Sequence, residues 1–182
     1  HLISHYLDMT HFAYGDAHDF HGCQVGVATI TTAAIYEQLF AMKPDQFDIE
    51  ARVRALKPVH RYEEETRARF GDLADAVIPH MRSLYPSPSD LRQRLGILID
   101  EWDSIIEDVG ASLRPAAELK QELASARCPV TFAEIGAEPD RARRAVNYAK
   151  DIRGRYTILH LAWELGMLER WGQNVLSEFH GI

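Results

Sequence analysis

An all-α fold, a bundle of eight to ten helices, is predicted for this chain on three observations. Apolar residues recur at steps of three and four, most clearly at Leu91, Leu95, Leu98, Ile99, Trp102, Ile105 and Ile106. The breaks between such stretches fall at Pro and Gly, beside residues that cap helices. No alternating β-branched run flanked by hairpin turns occurs, and there is no internal repeat or low-complexity tract.

Taken in order, Leu2 to Phe12 carries Leu2, Ile3, Tyr6, Leu7, Met9 and Phe12 at mixed helical steps and ends before Gly15-Asp16. Gly22 to Met42 is apolar on more than one side and is therefore expected at the centre of the bundle, closed by Lys43-Pro44. Asp48 to Leu56 is a short helix stopped by Lys57-Pro58. Tyr62 to Phe70 and Asp72 to Leu84 are two more, divided by Gly71, with Asp72 as N-cap of the second and Pro79 as a kink or stop within it. After Tyr85-Pro86-Ser87-Pro88, Ser89 or Asp90 is expected to cap one helix running through Ile106. Pro115 to Ala126 and Asp140 to Ile152 begin at or just after a proline. Thr131 with Glu134 reads as a capping box. Tyr156 to Leu165 ends at Gly166, and Leu168 to Phe179 closes the chain, with Trp163 and Trp171 as core anchors.

Length and composition set further bounds. The 182 residues, 46% hydrophobic and 26% charged, suit one domain, 1–182. A net charge of −7 argues against nucleic acid or an anionic membrane as partner. Arg141, Arg143 and Arg144 read as a solvated helix face rather than a phosphate-binding patch. Cys23 and Cys128 form no disulfide or thiolate pattern, which fits a reducing cytoplasm, and Cys23 reads as a half-buried filler. The most apolar stretch, Val25 to Ile35, is too short for a membrane span, and no Gly-rich dinucleotide loop is present.

Five of the nine histidines lie within the first 21 residues. On a helix His1 and His5 are one turn apart on one face. His21 stands at the start of the next helix, and antiparallel packing brings such a start beside the first helix, in a register that the residues alone leave open. Neutral imidazoles from both helices suit zinc or iron. His18 and Asp19 are the nearby alternatives for a further ligand, with solvated loop as their commoner fate. His11 is expected at the surface, and His60, His80, His160 and His180 form no local ligand pattern.

The pattern H-L-x-S-H-x-x-D from His1, followed from His21 by H-G-x-x-V-G-x-x-T, resembles the opening of the helical C-terminal domain of the metal-dependent polyol dehydrogenases, the dehydroquinate synthase-like and iron-containing alcohol dehydrogenase-like superfamily. Within it the chain is most similar to the sn-glycerol-1-phosphate dehydrogenase family, and more distantly to glycerol dehydrogenase and dehydroquinate synthase. Arg67 to Ala76 (RARFGDLADA) and Arg153 to Leu168 (RGRYTILHLAWELGML) extend the resemblance over most of the chain. Where many relatives carry a charged pair after His-Gly, Cys23-Gln24 stand here.

The resemblance implies His1 and His21 as ligands of one divalent ion, zinc first, with iron or nickel in its place. It implies His5 as a catalytic residue lining the substrate site. A third ligand, an Asp, and most of the NAD(P)H contacts would come from an N-terminal nucleotide-binding domain with no counterpart in these residues, so the chain is expected to be the helical domain alone. The implied reaction is hydride transfer between NAD(P)H and a phosphorylated triose, interconverting dihydroxyacetone phosphate and sn-glycerol 1-phosphate, with monomer and homo-oligomer both left open. A glycerol dehydrogenase-like polyol oxidoreductase, a dehydroquinate synthase-like cyclase and a non-catalytic metal-binding helical module are the other readings.

Overall fold

The longest helix, α2 (His21–Phe40), buries Val27, Ala28, Ile30, Ala34, Ile35 and Leu39 on successive faces. It packs against α1 (Leu2–Tyr14), α8 (Ala116–Ser125), α10 (Ile158–Glu164) and α11 (Leu168–His180), which is the central place predicted for a helix without a polar side. Its threonines cost little inside the bundle, because Thr31 and Thr32 donate back to the Val27 and Ala28 carbonyls. The computed structural model describes residues 1–182 and is all-helical, with no strand.

Between these elements run α3 (Ile49–Ala55), α4 (Val59–Phe70), α5 (Ala74–Leu84), α6 (Pro88–Asp100), α7 (Trp102–Gly110) and α9 (Pro139–Tyr148). The single helix expected through Ile106 is two, α6 and α7, parted at Glu101. Leu91, Leu95, Leu98 and Trp102 are buried, but Ile105 and Ile106 only lean on the core, so the periodicity outlasts the helix. The cap of α6 is Ser87, not Ser89 or Asp90. Ser87 Oγ accepts from Asp90 N, Asp90 Oδ2 accepts from Ser87 N, and Pro88 fills the first helical position. Asp72 caps nothing, because a 3-10 turn at Gly71–Leu73 intervenes before α5. Pro79 lies inside α5 without ending it. Thr131 and Glu134 do form the expected reciprocal cap, and the hydrogen bonds from Val130 N and Thr131 hold the Glu134 carboxyl below its usual range. Trp171 is a core anchor and Trp163 is half-buried.

One correction bears on the site. Arg141 is buried, whereas only Arg144 of the basic cluster is fully exposed and Arg143 pairs with Asp140. Nη2 of Arg141 donates to the Leu7 carbonyl (2.7 Å), Nη1 to the Ala17 carbonyl (2.5 Å), and Nε lies 3.2 Å from Asp16 Oδ2. One guanidinium thereby ties α9 to α1 and to the connection that follows it. A planar five-donor fork satisfies several carbonyls at once, which explains how a charge sits here at low exposure.

A second polar knot includes the 3-10 turn that packs against α1. Lys150, in the 3-10 turn Ala149–Ile152, is buried with Asp151 (2.5 Å) and the Tyr62 hydroxyl (2.5 Å), its ammonium 4.5 Å from the Trp163 ring centre. Burial pushes the Lys150 amine below its ordinary value against the pull of Asp151, and it pushes the Tyr62 hydroxyl well up. Glu164, also buried, accepts from Arg94 Nη1 and Tyr156 OH, each at 2.6 Å. These bonds fix the chain on both sides of the segment Arg153–Thr157.

Candidate metal centre

His1 caps α1 and His5 follows one turn later, so their rings stack at 4.6 Å between centroids. The register of α2 is set by its connection to α1. Gly15, at φ +71°, closes α1 through a bond to the His11 carbonyl, and glycine alone adopts that left-handed conformation freely. From there the chain runs back along α1. Asp16 O meets His11 Nδ1 (2.6 Å), His18 stacks on His11 (4.5 Å) and faces Asp8 (3.6 Å), and His21 arrives at Asp8, His5 and His1.

The result is a cluster in which one ring nitrogen each from His1, His5 and His21 lies within 4.8 Å of the others. His1 Nε2 and His21 Nε2 are 3.1 Å apart. Two nitrogens at about 2.0–2.1 Å from a tetrahedral zinc are separated by roughly 3.3 Å, so the pair fits one ion. Without an ion the same contact is a hydrogen bond between the two imidazoles. Burial is the first cause that lowers the His5 pKa, and the charges of His21 and Arg153 lower it further against Asp8. A neutral imidazole is the form that binds a metal or accepts a proton.

Asp8 completes the cluster and has no role in the spacing argument. Its Oδ2 lies 3.0 Å from His21 Nδ1, a contact that in the neutral ring places the proton on Nδ1 and turns the lone pair of Nε2 toward His1. The side chain of buried Gln24, oriented with its nitrogen inward, donates to Asp8 Oδ1 (2.8 Å) and to the Ser4 carbonyl (3.2 Å). Asp8 falls on the His1–His5 face three residues after His5, so helical periodicity was the signal that could have found it. Gln24 carries no such signal.

Of the other candidates, His18 reaches Asp8 but not the trio, and Asp19 accepts from its neighbour Phe20 N. His11 is half-buried rather than on the surface, held by Asp16 and His18. Cys23 is half-buried, as expected. His160 and His180 are buried and are not among the three clustered histidines. A cavity of about 320 Å³, lined among others by Tyr62, Tyr85, Tyr148 and Trp163, has no histidine in its wall. A second, of about 310 Å³, opens beside His1 and His5.

No family model, curated protein or solved structure matches the chain. No single helix is long and apolar enough to cross a membrane.

Proposed function

We propose that the chain is the helical metal- and substrate-binding domain of an NAD(P)-dependent dehydrogenase that interconverts dihydroxyacetone phosphate and sn-glycerol 1-phosphate. One observation carries the reading: the three imidazoles that the sequence resemblance singles out, His1, His5 and His21, converge within 4.8 Å beside a cavity of substrate size. His1 and His21 hold a divalent ion, zinc, or iron or nickel in its place, and this ion when bound supplies a Lewis acid for charge developing on a carbonyl oxygen.

The chain's own residues do the rest. Asp8 keeps the His21 ring in the ligating tautomer. His5, lining the cavity with its pKa lowered by burial, hydrogen-bonds the substrate oxygen and exchanges its proton with solvent. In this reading the nicotinamide and an Asp ligand belong to a nucleotide-binding domain, because no dinucleotide loop opens any helix here. The purified chain is therefore expected to fold and retain metal weakly, yet to leave NADPH unoxidised in the presence of dihydroxyacetone phosphate. Turnover by the chain alone would contradict the reading.

A second reading follows from the same 4.8 Å convergence, which includes His5 as fully as the other two. Three imidazoles make a complete protein ligand set for zinc without any Asp. A metal-binding module is then the better description. Elemental analysis of His5→Ala separates the readings, since the dehydrogenase reading keeps the metal and the module reading loses it as completely as His1→Ala does.

A further inference from the structure

The cavity beside His1 and His5 has one property that the histidines do not explain. Arg153 and Arg155 both line it, neither takes part in any ion pair, and none of its lining residues is acidic. In a chain of 27 acidic and 20 basic residues, most other arginines have found carboxylates: Arg67, Arg69, Arg82, Arg92, Arg94, Arg114, Arg141 and Arg143 all pair. Two guanidinium groups left uncompensated at one cavity wall leave a local excess of positive charge, and a bound anion removes it.

The chain makes a tight turn between the two exposed arginines. Arg155 N donates to the Arg153 carbonyl at 2.8 Å, closing a three-residue turn around Gly154. A Cβ on Gly154 would stand 2.9 Å from Ser83 Oγ, so the turn is pressed onto α5 and a side chain there would have to displace the Ser83 hydroxyl. The buried Lys150–Asp151–Tyr62 knot anchors the chain before the turn, and the buried Glu164 holds Tyr156 after it. Thr157, also at the cavity, caps α10 together with His160. Arg153 is close enough for its charge to depress His5, which puts the basic wall next to the candidate metal centre.

We propose that Arg153 and Arg155 form the seat of a phosphate monoester whose other end reaches the histidine cluster. A cavity of about 310 Å³ is the size that takes a small molecule of a few carbons. A dianion with three free oxygens matches two planar forks better than a singly charged carboxylate does. This seat rests on the dehydrogenase reading for its biological substrate, but its existence does not depend on the metal.

Calorimetric titration of the purified chain with inorganic phosphate, glycerol phosphate, glycerate and glycerol tests it. Phosphate and glycerol phosphate are expected to bind and glycerol not to. Arg153→Ala with Arg155→Ala is expected to weaken phosphate at least about tenfold, since each lost charge-assisted bond is worth more than about 1.4 kcal/mol. Lysine at both positions restores part of the affinity, because the charge returns without the fork. His21→Ala keeps phosphate binding while losing metal. Absence of phosphate binding in the wild type, unchanged affinity in the double variant, or glycerate bound as tightly as glycerol phosphate overturns the proposal. If circular dichroism shows the double variant unfolded, phenylglyoxal modification of the wild type decides: phosphate must protect Arg153 and Arg155 in the peptide map, and unprotected arginines refute the seat. Phosphate bound by a chain that takes up no metal would instead sink the dehydrogenase reading and leave the seat standing.

Discussion

His1, His5 and His21 stand at an open mouth with their ring nitrogens turned toward one another, whereas His160 and His180 are buried singly, each hydrogen-bonded to a threonine. His160 Nδ1 accepts from Thr157 N (3.2 Å) and so serves as the return half of a capping box. His180 Nε2 meets Thr31 Oγ1 at 3.0 Å, and because that hydroxyl donates to the Val27 carbonyl, His180 is the donor. Its Nδ1 is left buried without a partner. The same side chain is thus a structural hydrogen-bonding unit in one region and a convergent, adaptable donor set in the other. What separates them is whether the ring nitrogens face carbonyls and hydroxyls or face each other.

The buried side of this contrast is where stability resides, and the polar knot beside it gives the largest effect. Asp151→Ala leaves Lys150 in a dry site without its counter-charge and is expected to cost about 3–5 kcal/mol by urea denaturation. His1→Ala at the mouth is expected to fall within about 0.5 kcal/mol of wild type in the metal-free chain. Equal losses in the two variants would erase the distinction.

Acid provides the next sharpest test. Burial, with the charges of Lys150 and Arg94, lowers the His160 pKa to about 4, and burial with Lys120 does the same for His180. Unfolded histidine binds its proton near pH 6.5, so between these values the unfolded chain takes up protons that the folded chain refuses. The stabilisation is complete above about pH 6.5 and is lost as pH falls toward 4, by an amount on the order of 2–3 kcal/mol per histidine. Thr31→Val with His180→Phe should flatten part of the stability profile in that window; an unchanged slope would show that His180 titrates normally.

How far the sequence went follows the same division. Helix existence was legible because caps and periodicity are local: the Thr131–Glu134 box and the Gly15 stop are written within four residues. The break at Glu101 was not, since Ile105 and Ile106 keep the period while tertiary packing decides that they only brush the core. Arg141 was misread for a related reason. Its acceptors, Leu7 O and Ala17 O, are more than a hundred residues away and carry no side-chain signal. The one-turn spacing of His1 and His5 was legible from the helical period, but the loop that runs back along α1 to bring His21 to them depends on backbone contacts of Asp16 and Ala17. The pairing of Arg153 and Arg155 beyond the histidines was hidden until the turn at Gly154 put them on one wall.

A smaller effect is expected at Asp8, which acts on the mouth only through His21. Asp8→Asn keeps the shape but can present its amide nitrogen to the ring, and zinc affinity is expected to fall about 10–100-fold with little change in stability. Competition with a chelator measures it, and wild-type affinity would mean that the 3.0 Å bond to His21 is incidental.

The central claim is that the open cluster is a metal site. Bound metal per chain, measured by equilibrium dialysis against free zinc with elemental analysis of both compartments, tests it on wild type, His1→Ala, His21→Ala and His160→Ala. Wild type and His160→Ala should retain the ion, and both mouth variants should fall well below one ion per chain. Metal retained equally by all four, or by none, would contradict the account.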